Sequence, residues 1–405
     1  MRRYITVVLL VALVICPSST ARRKIERFQV IWNAPSEMCI RKHNVTIPLK
    51  PFGIKFNQEQ KFYGDEVVLF YETKLGLYPY VANHGEGEIV NGGIPQKVNM
   101  VNHFIKMRDD IKKAIPSSGF DGVAVIDWEE WRPLWGTNWG KKKVYKKLSE
   151  EYARSRYPHL SKKSSRLRAV TDFNKAARNL MIQTIRFAIE LRPFAKWGFY
   201  GFPYCDKDAG KNGKCNQGYR QFNNRMQWLF DASVAVYPSI YLTPGQLESP
   251  QTDRHTYVQA IIEETIRVTK LNKRPFFTYT KFAYHPYTND MEFYKKDDLC
   301  STLKQTADMG GSGIVVWSSS HSTSTAENCR HIAEYVDSQF GPYASVVTQE
   351  AQMCANQRCF QHGVCRMEAQ LTCTLVSLFS QYRCDCDENF RGFFCERHQF
   401  YSWVQ

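Results

Sequence analysis

Between residues 27 and 340, short runs of β-branched and aromatic residues alternate with longer amphipathic stretches, which restricts the fold more than any other feature. FQVIWNAP, EVVLFY, GVAVIDWE, WGFYGFP, ASVAVYPSIY, PFFTYT and SGIVVWSSS have the length and composition of strands. Between them, VNHFIKMRDDIKKAI, FNKAARNLMIQTIRFAIELRP and YVQAIIEETIRVTKLN read as helices. In the last of these, Val258, Ile261, Ile262, Thr265, Ile266 and Thr269 fall on one stripe. Strands alternating with helices imply parallel β/α units. Six or seven such units in about 310 residues predict an α/β fold closed into a barrel rather than a doubly wound sheet.

A barrel places its reactive groups where strands end and the following loops open. FDGVAVIDWEEWRPLWGTNWG, residues 120 to 140, runs out of a buried strand into Asp127, Glu129 and Glu130, with Trp128, Trp131, Trp135 and Trp139 interleaved. Alternation puts Asp127 and Glu129 on one face and Trp128 and Glu130 on the other. Glu130 is therefore expected to make an ion pair or to face solvent. The selected pair would stand roughly 6 to 7 Å apart at Cβ, on the same side of any bound molecule. Glycosidases ordinarily set two carboxyls on opposite sides of the scissile bond. A same-side pair suits a reaction in which a 2-acetamido oxygen of the substrate attacks the anomeric carbon. The Asp127 anion and burial against the indoles should both raise the pKa of Glu129 and keep it protonated. An Asp-x-Glu pair alone occurs by chance in most proteins; the context carries the reading.

The first thirty residues have Arg2 and Arg3, an apolar run from 5 to 16, and Ser19 and Ala21 at small-x-small spacing. This pattern predicts a signal peptide over 1–21 and a secreted protein. Twelve apolar residues fall short of the roughly 20 that a membrane span needs, so no membrane insertion is expected. Removing Cys16 with the leader leaves twelve cysteines, an even number in an oxidising compartment. Seven of them lie between Cys354 and Cys395 and mark a separate module. Asn44-Val45-Thr46 is a glycosylation sequon. The formal charge is +15, with basic clusters at KKKVYKK (141–147) and SKKSSRLR (161–168). Such charge attracts polyanions, and for a secreted chain an acidic polysaccharide is the expected partner rather than nucleic acid. A solvated basic helix face would carry the same residues.

GFDGVAVIDWEEWRPLWGTNWGKKKVY resembles the signature of glycoside hydrolase family 56, the animal hyaluronidases, venom enzymes included. WNAPSEMC, LFYETKLGLYPY, NGGIPQ, WGFYGFPYC, YPSIYL and GIVVWSSS extend the likeness, in order, over nearly the whole chain. The resemblance implies a distorted (β/α) TIM-like barrel over 22–345, no metal or organic cofactor, and a monomer acting on hyaluronan or chondroitin. It implies Glu129 as proton donor, Asp127 as the carboxylate that positions the acetamide, and Tyr200 beside them. Tyr241 and Trp317 match sugar-binding residues, and Tyr71 and Arg132 match further cleft residues. One position departs from the pattern: the family usually has arginine where this chain has Ile261, six residues before Arg267. Arg267 or Arg225 is a candidate replacement.

The cysteine spacing of 346–405, with Gly392, resembles an EGF-like module, which the family carries in this place. The resemblance implies Cys354–Cys365, Cys359–Cys384 and Cys386–Cys395, with Cys39–Cys329 and Cys205–Cys215 in the barrel. Cys300 and Cys373 are left over, and pairing them would tie the module's apolar insertion QLTCTLVSLFSQ to the barrel. Two other roles fit the same residues: a hyaluronan-binding protein that no longer cuts, and an adhesion role through the module.

Overall fold

The protein is described by a computed structural model covering residues 27–288, 291–367 and 379–399. The expected signal segment 1–21 lies outside the described residues. The strands of the larger part are β1 (Gln29–Asn33), β2 (Lys55–Phe56), β3 (Val67–Tyr71), β4 (Tyr80–Val81), β5 (Ile89–Val90), β6 (Val123–Asp127), β7 (Lys196–Phe199), β8 (Phe277–Thr280) and β9 (Gly313–Trp317). Of these, β4 and β5 form a small antiparallel pair. The rest are parallel, in the orders β2-β1-β9-β8 and β3-β6-β7.

The segment ASVAVYPSIY, expected as a strand, makes only single parallel bridges: Tyr200 with Tyr237, Val236 with Phe276, and Ser239 with Tyr279. Pro238 removes a ladder donor there, which breaks the run. Those bridges nevertheless place the segment between β7 and β8 and join the two sheets. Gly198 fits this crowded junction because a Cβ would meet the Ala235 carbonyl at 2.1 Å.

At the other junction, β2 is only two residues long, and a side chain takes over from the ladder. Asn57, fully buried, accepts from the backbone N–H groups of Glu66 (2.9 Å) and Val67 (3.0 Å) through Oδ1. Its Nδ2 donates to the carbonyls of Val67 (2.9 Å) and Lys61 (3.0 Å). The amide thus acts as an extra peptide group against β3. Asn33 adds a bond from Nδ2 to the Phe62 carbonyl at 2.9 Å.

Strand alternation divides the apolar residues into two cores. Ile31, Val67, Leu69, Val123, Val125, Phe277, Tyr279 and Val315 pack together inside the strands. Val30, Val68, Phe70, Ala124, Ile126, Ile314 and Val316 face outward against the helices. The longest helix, Lys162–Leu191, buries Ser165, Ala169, Phe173, Ala177, Leu180, Thr184 and Ala188, a stripe at three- and four-residue spacing. Ser161 caps it by accepting from Ser164 N at 3.2 Å. In Gln251–Thr269 the expected stripe is buried except that Val268, not Ile266, completes it. None of the described helices is long and apolar enough to cross a membrane.

Helix Gly341–Gln357 spans the 345/346 division and leads into a disulfide-rich unit. There β10 (Gly363–Met367) pairs antiparallel with β11 (Tyr382–Cys386), and β12 (Phe390–Arg391) with β13 (Arg397–His398). Cys354–Cys365, Cys359–Cys384 and Cys386–Cys395 are bonded, as are Cys39–Cys329 and Cys205–Cys215. Cys300 is also in a disulfide. Cys373 and most of the apolar insertion lie outside the described residues. Buried Lys304 pairs with Asp308 at 2.7 Å and Glu350 at 3.4 Å, and Tyr382 of β11 donates to Asp308 at 2.6 Å. Arg27, just before β1, adds an ion pair to Asp387 at 3.0 Å.

Asn57→Ala would leave four backbone groups unsatisfied at the junction of β2 and β3. Denaturant unfolding should report a loss of about 2–5 kcal/mol, more than a core methyl deletion. A loss below about 1 kcal/mol would mean that water or backbone shifts replace the amide.

Candidate active site

Parallel registration carries several side chains to one level. Tyr71, the last residue of β3, is the Cα partner of Asp127, the last residue of β6. Val67, Leu69 and Tyr71 share the inner face with Val123, Val125 and Asp127. The inner core is therefore topped by Tyr71, Tyr200, Tyr241 and Trp317, all half-buried. Tyr241 and Trp317 stack with ring centroids 6.0 Å apart and planes inclined by 21°. Trp317 Nε1 donates to the Tyr71 hydroxyl at 3.1 Å, and Tyr200 donates to Ser239 Oγ at 3.1 Å. Tyr287, exposed and 6.0 Å from Trp317, lengthens the aromatic shelf.

Asp127 is buried, and its Oδ1 has no hydrogen-bond partner among the described residues. Burial first, then the charges of Glu129 and Glu72, push its pKa well above the ordinary carboxylate value. Glu129 stands in a cleft: solvent reaches it, yet protein surrounds it closely enough for burial to dominate its titration. Burial and then Glu72 raise its pKa, while Lys142 and Arg132 oppose the rise. Glu130 turns to the other side, as parity requires. It accepts from the Tyr145 hydroxyl at 3.3 Å and lies 3.6 Å from His84 Nδ1. Burial drives Tyr200 and Tyr241 well above the ordinary phenol value, so both keep their protons.

The indoles depart from expectation. Trp128 stacks on Tyr78 at 4.6 Å, and Trp131 and Trp135 meet Phe173 edge-on at 5.9 and 5.7 Å. These three belong to the outer core, their rings turned toward the helix side of the strands. They anchor the loop rather than wall the acids. Trp139 alone is exposed, with the Arg132 guanidinium 4.3 Å above its ring. Arg132 is further held by Nη1 to the Thr137 carbonyl at 2.9 Å.

Three groups, two beside the acids and one beside the aromatic shelf, were not singled out by the sequence. Glu72 follows Tyr71 and accepts the Glu129 backbone N–H at 3.0 Å. Lys142, from the basic cluster, turns inward and donates to the carbonyls of Glu129 and Glu130. Lys281 is buried, 5.2 Å from the centroid of the Tyr241 ring, and donates to the Tyr284 carbonyl at 3.2 Å. Its burial lowers its pKa to about 8. At the position of departure, Ile261 is buried, and Glu264 one turn on binds Arg267 through two bonds of 2.7 Å. Arg220 at 3.5 Å, not Arg225, is its second cation. Asn44 is exposed and ends a helix in the left-handed region. Among the described residues, no cluster of three or more His, Cys, Asp or Glu side chains could hold a metal ion.

Two neighbouring carboxyls of raised pKa beside an aromatic shelf can protonate a leaving oxygen next to a stacked ring. Comparison with known proteins agrees with that chemistry. The hyaluronidase family profile of glycoside hydrolase family 56 matches residues 18–398. The chain belongs to the hyaluronidase family. It is 36% identical to hyaluronidase-3 of Sus scrofa over 86% of this chain and 83% of that protein. It is 35% identical to a chondroitin hydrolase of Caenorhabditis elegans, covering 91% and 80%. Bee venom hyaluronidase, crystallised with a hyaluronic acid tetramer, superposes with a TM-score of 0.71 at 30% identity, over 78% of this chain and 98% of that one. The chain is thus a family 56 glycoside hydrolase with a mixed α/β fold.

A carboxyl whose pKa is raised by folding contributes stability that is complete below its unfolded value and is lost as pH rises through the folded value. For Glu129 that loss begins above its ordinary 4.5. Glu129→Gln should therefore raise Tm by a few degrees at neutral pH and by less below pH 4.5. Thermal denaturation across this range checks it, and a pH-independent difference would contradict the burial argument.

Proposed function

We propose that the chain is a secreted endo-β-N-acetylhexosaminidase that cuts β1,4 bonds of hyaluronan with retention, using the substrate's own acetamide as nucleophile. The observation that carries this reading is the register that sets Asp127 level with Tyr71, two residues before Glu129, beside the Tyr241–Trp317 shelf. In the first step the acetamide oxygen bonds to the anomeric carbon while the bond to the leaving oxygen breaks. Glu129 delivers its proton to that oxygen. Asp127 accepts the acetamide N–H through Oδ1, which makes the carbonyl oxygen more nucleophilic, and Tyr200 steadies the same group. In the second step water attacks the anomeric carbon while the bond to the acetamide oxygen breaks and the acetamide is restored; the water's proton passes to Glu129, which now acts as base. Tyr241 and Trp317 offer ring faces to the sugar, Tyr71 holds Trp317, and Arg132 faces a substrate carboxylate at the cleft edge.

On this reading the strands form a distorted (β/α) barrel. The disulfide-rich unit is an EGF-like module capping it, and Asn44 carries a glycan. The seated module and its buried Lys304–Asp308–Tyr382 contact favour capping over a freely presented adhesion unit. Chondroitin is the second substrate reading, favoured by the Caenorhabditis elegans relative and by Ile261 at the usual arginine position. A binding protein that does not cut would be expected to lack one acid, and both are present.

Glu129→Gln keeps the shape of the donor without its proton, so turnover should fall by about 10²–10⁴-fold while polymer affinity stays close to wild type. Product mass spectrometry after incubation with hyaluronan, and separately with unsulfated chondroitin, checks both points. Saturated even-numbered oligosaccharides ending in N-acetylhexosamine support the hydrolase, and the faster polymer identifies the preferred substrate. Intact polymer in both cases would overturn the proposal and favour binding without cleavage.

A further inference from the structure

Glu72 has no part in the proposed chemistry, yet it is the acid bonded to the Glu129 backbone. It stands one residue beyond Tyr71, whose Cα registers with Asp127, so β3 delivers it beside the loop that carries Glu129. Its Oε1 accepts the Glu129 backbone N–H at 3.0 Å. A neutral amide or hydroxyl could accept that bond equally well. A carboxylate there stands instead against two other carboxyls, an arrangement that costs stability through mutual repulsion. We propose that Glu72 is a positioning residue for the proton donor: its carboxyl fixes the Glu129 backbone and stands as a third acid beside Asp127 and Glu129.

The surrounding charges define how this works. Toward Glu129 face Asp127, Glu130 and Arg132 from its own strand and loop, Lys142 from the following turn, Tyr200 and Tyr204 beyond β7, and Tyr287 above the shelf. Around Glu72 lie Glu129, Glu130 and Lys142, with Tyr78, Tyr80 and Tyr145 behind. The cations Lys142 and Arg132 draw protons off Glu129, and Glu72 is the foremost charge acting the other way. Burial also raises the pKa of Glu72 itself, with the Glu130 charge adding to the rise and Lys142 opposing it. With a general acid that must be protonated, the alkaline limb of the rate profile follows the Glu129 titration.

This inference rests on Glu129 as the proton donor, and its test separates the two ideas. Glu72→Gln keeps an oxygen for the Glu129 N–H and removes the charge; Glu72→Ser removes the charge if the first variant does not fold. Protein labelled with 13C at the glutamate carboxyl carbon is titrated by NMR, with the Glu129 signal identified by its loss in Glu129→Gln. The expected result is a Glu129 midpoint at lower pH in the charge-removed variant. The alkaline limb of kcat/KM should move with it, so that activity falls severalfold more above the wild-type limb than below it. Glu72→Asp should restore part of the shift. A midpoint that stays in place or rises overturns the role of Glu72. Wild-type protein that cuts no polymer, yet shows the shift, overturns only the proposed function.

Discussion

Parallel hydrogen bonding between β3, β6 and β7 is the constraint from which the site follows. Because residues of adjacent parallel strands are locked level with one another, Tyr71, Asp127 and Tyr200 emerge together at one end of the inner core. The same lock brings Glu72 to the Glu129 backbone, although 57 positions separate them. Side chains at this level rest on the inner core that residues from both parallel sheets share. Where backbone pairing gives out, at the two-residue β2, the Asn57 amide continues it. Without that substitute the edge of β3 would expose unpaired peptide groups to the interior, where they are costly.

Collecting three carboxyls at the end of a buried strand works against folding, and the rest of the site counteracts it. Lys142 and Arg132 supply positive charge, while Arg132 is itself held over Trp139 so that it does not collapse onto the acids. The tryptophans of the loop serve the same end indirectly. By packing outward on Tyr78 and Phe173 they hold the loop backbone without filling the cleft. Burial and like charge together raise the pKa of Glu129 above the ordinary carboxylate value.

A different solution governs the junction with the disulfide-rich unit. Lys304 is nearly inaccessible, and its charge is met by Asp308 and Glu350. Tyr382 reaches in from β11 to the same Asp308. The Tyr382 hydroxyl is the unit's own contribution to this buried cluster, and a slip of the unit would break its bond to Asp308. The six-cysteine framework sets the internal shape of the unit, and this polar contact sets its place on the helices.

Much of this was legible in order along the chain. Strand and helix periods, the strand-end acids, the parity that separates Glu129 from Glu130, and the resemblance carried by the long motifs are local properties, readable because side-chain direction follows from neighbouring residues alone. The failures were those of tertiary context. ASVAVYPSIY has strand composition but loses its ladder at Pro238, and the indoles looked like cleft walls until the helices were in place to receive them. Glu72, Lys142 and Lys281 could not be found because nothing nearby in sequence distinguishes them from surface charges. The sequence by itself determined which residues would alternate inward and which acids would stand at a strand's end. Only the tertiary structure decided which distant charges would share that space, because pairing register and burial, not residue type, set the field each carboxyl feels.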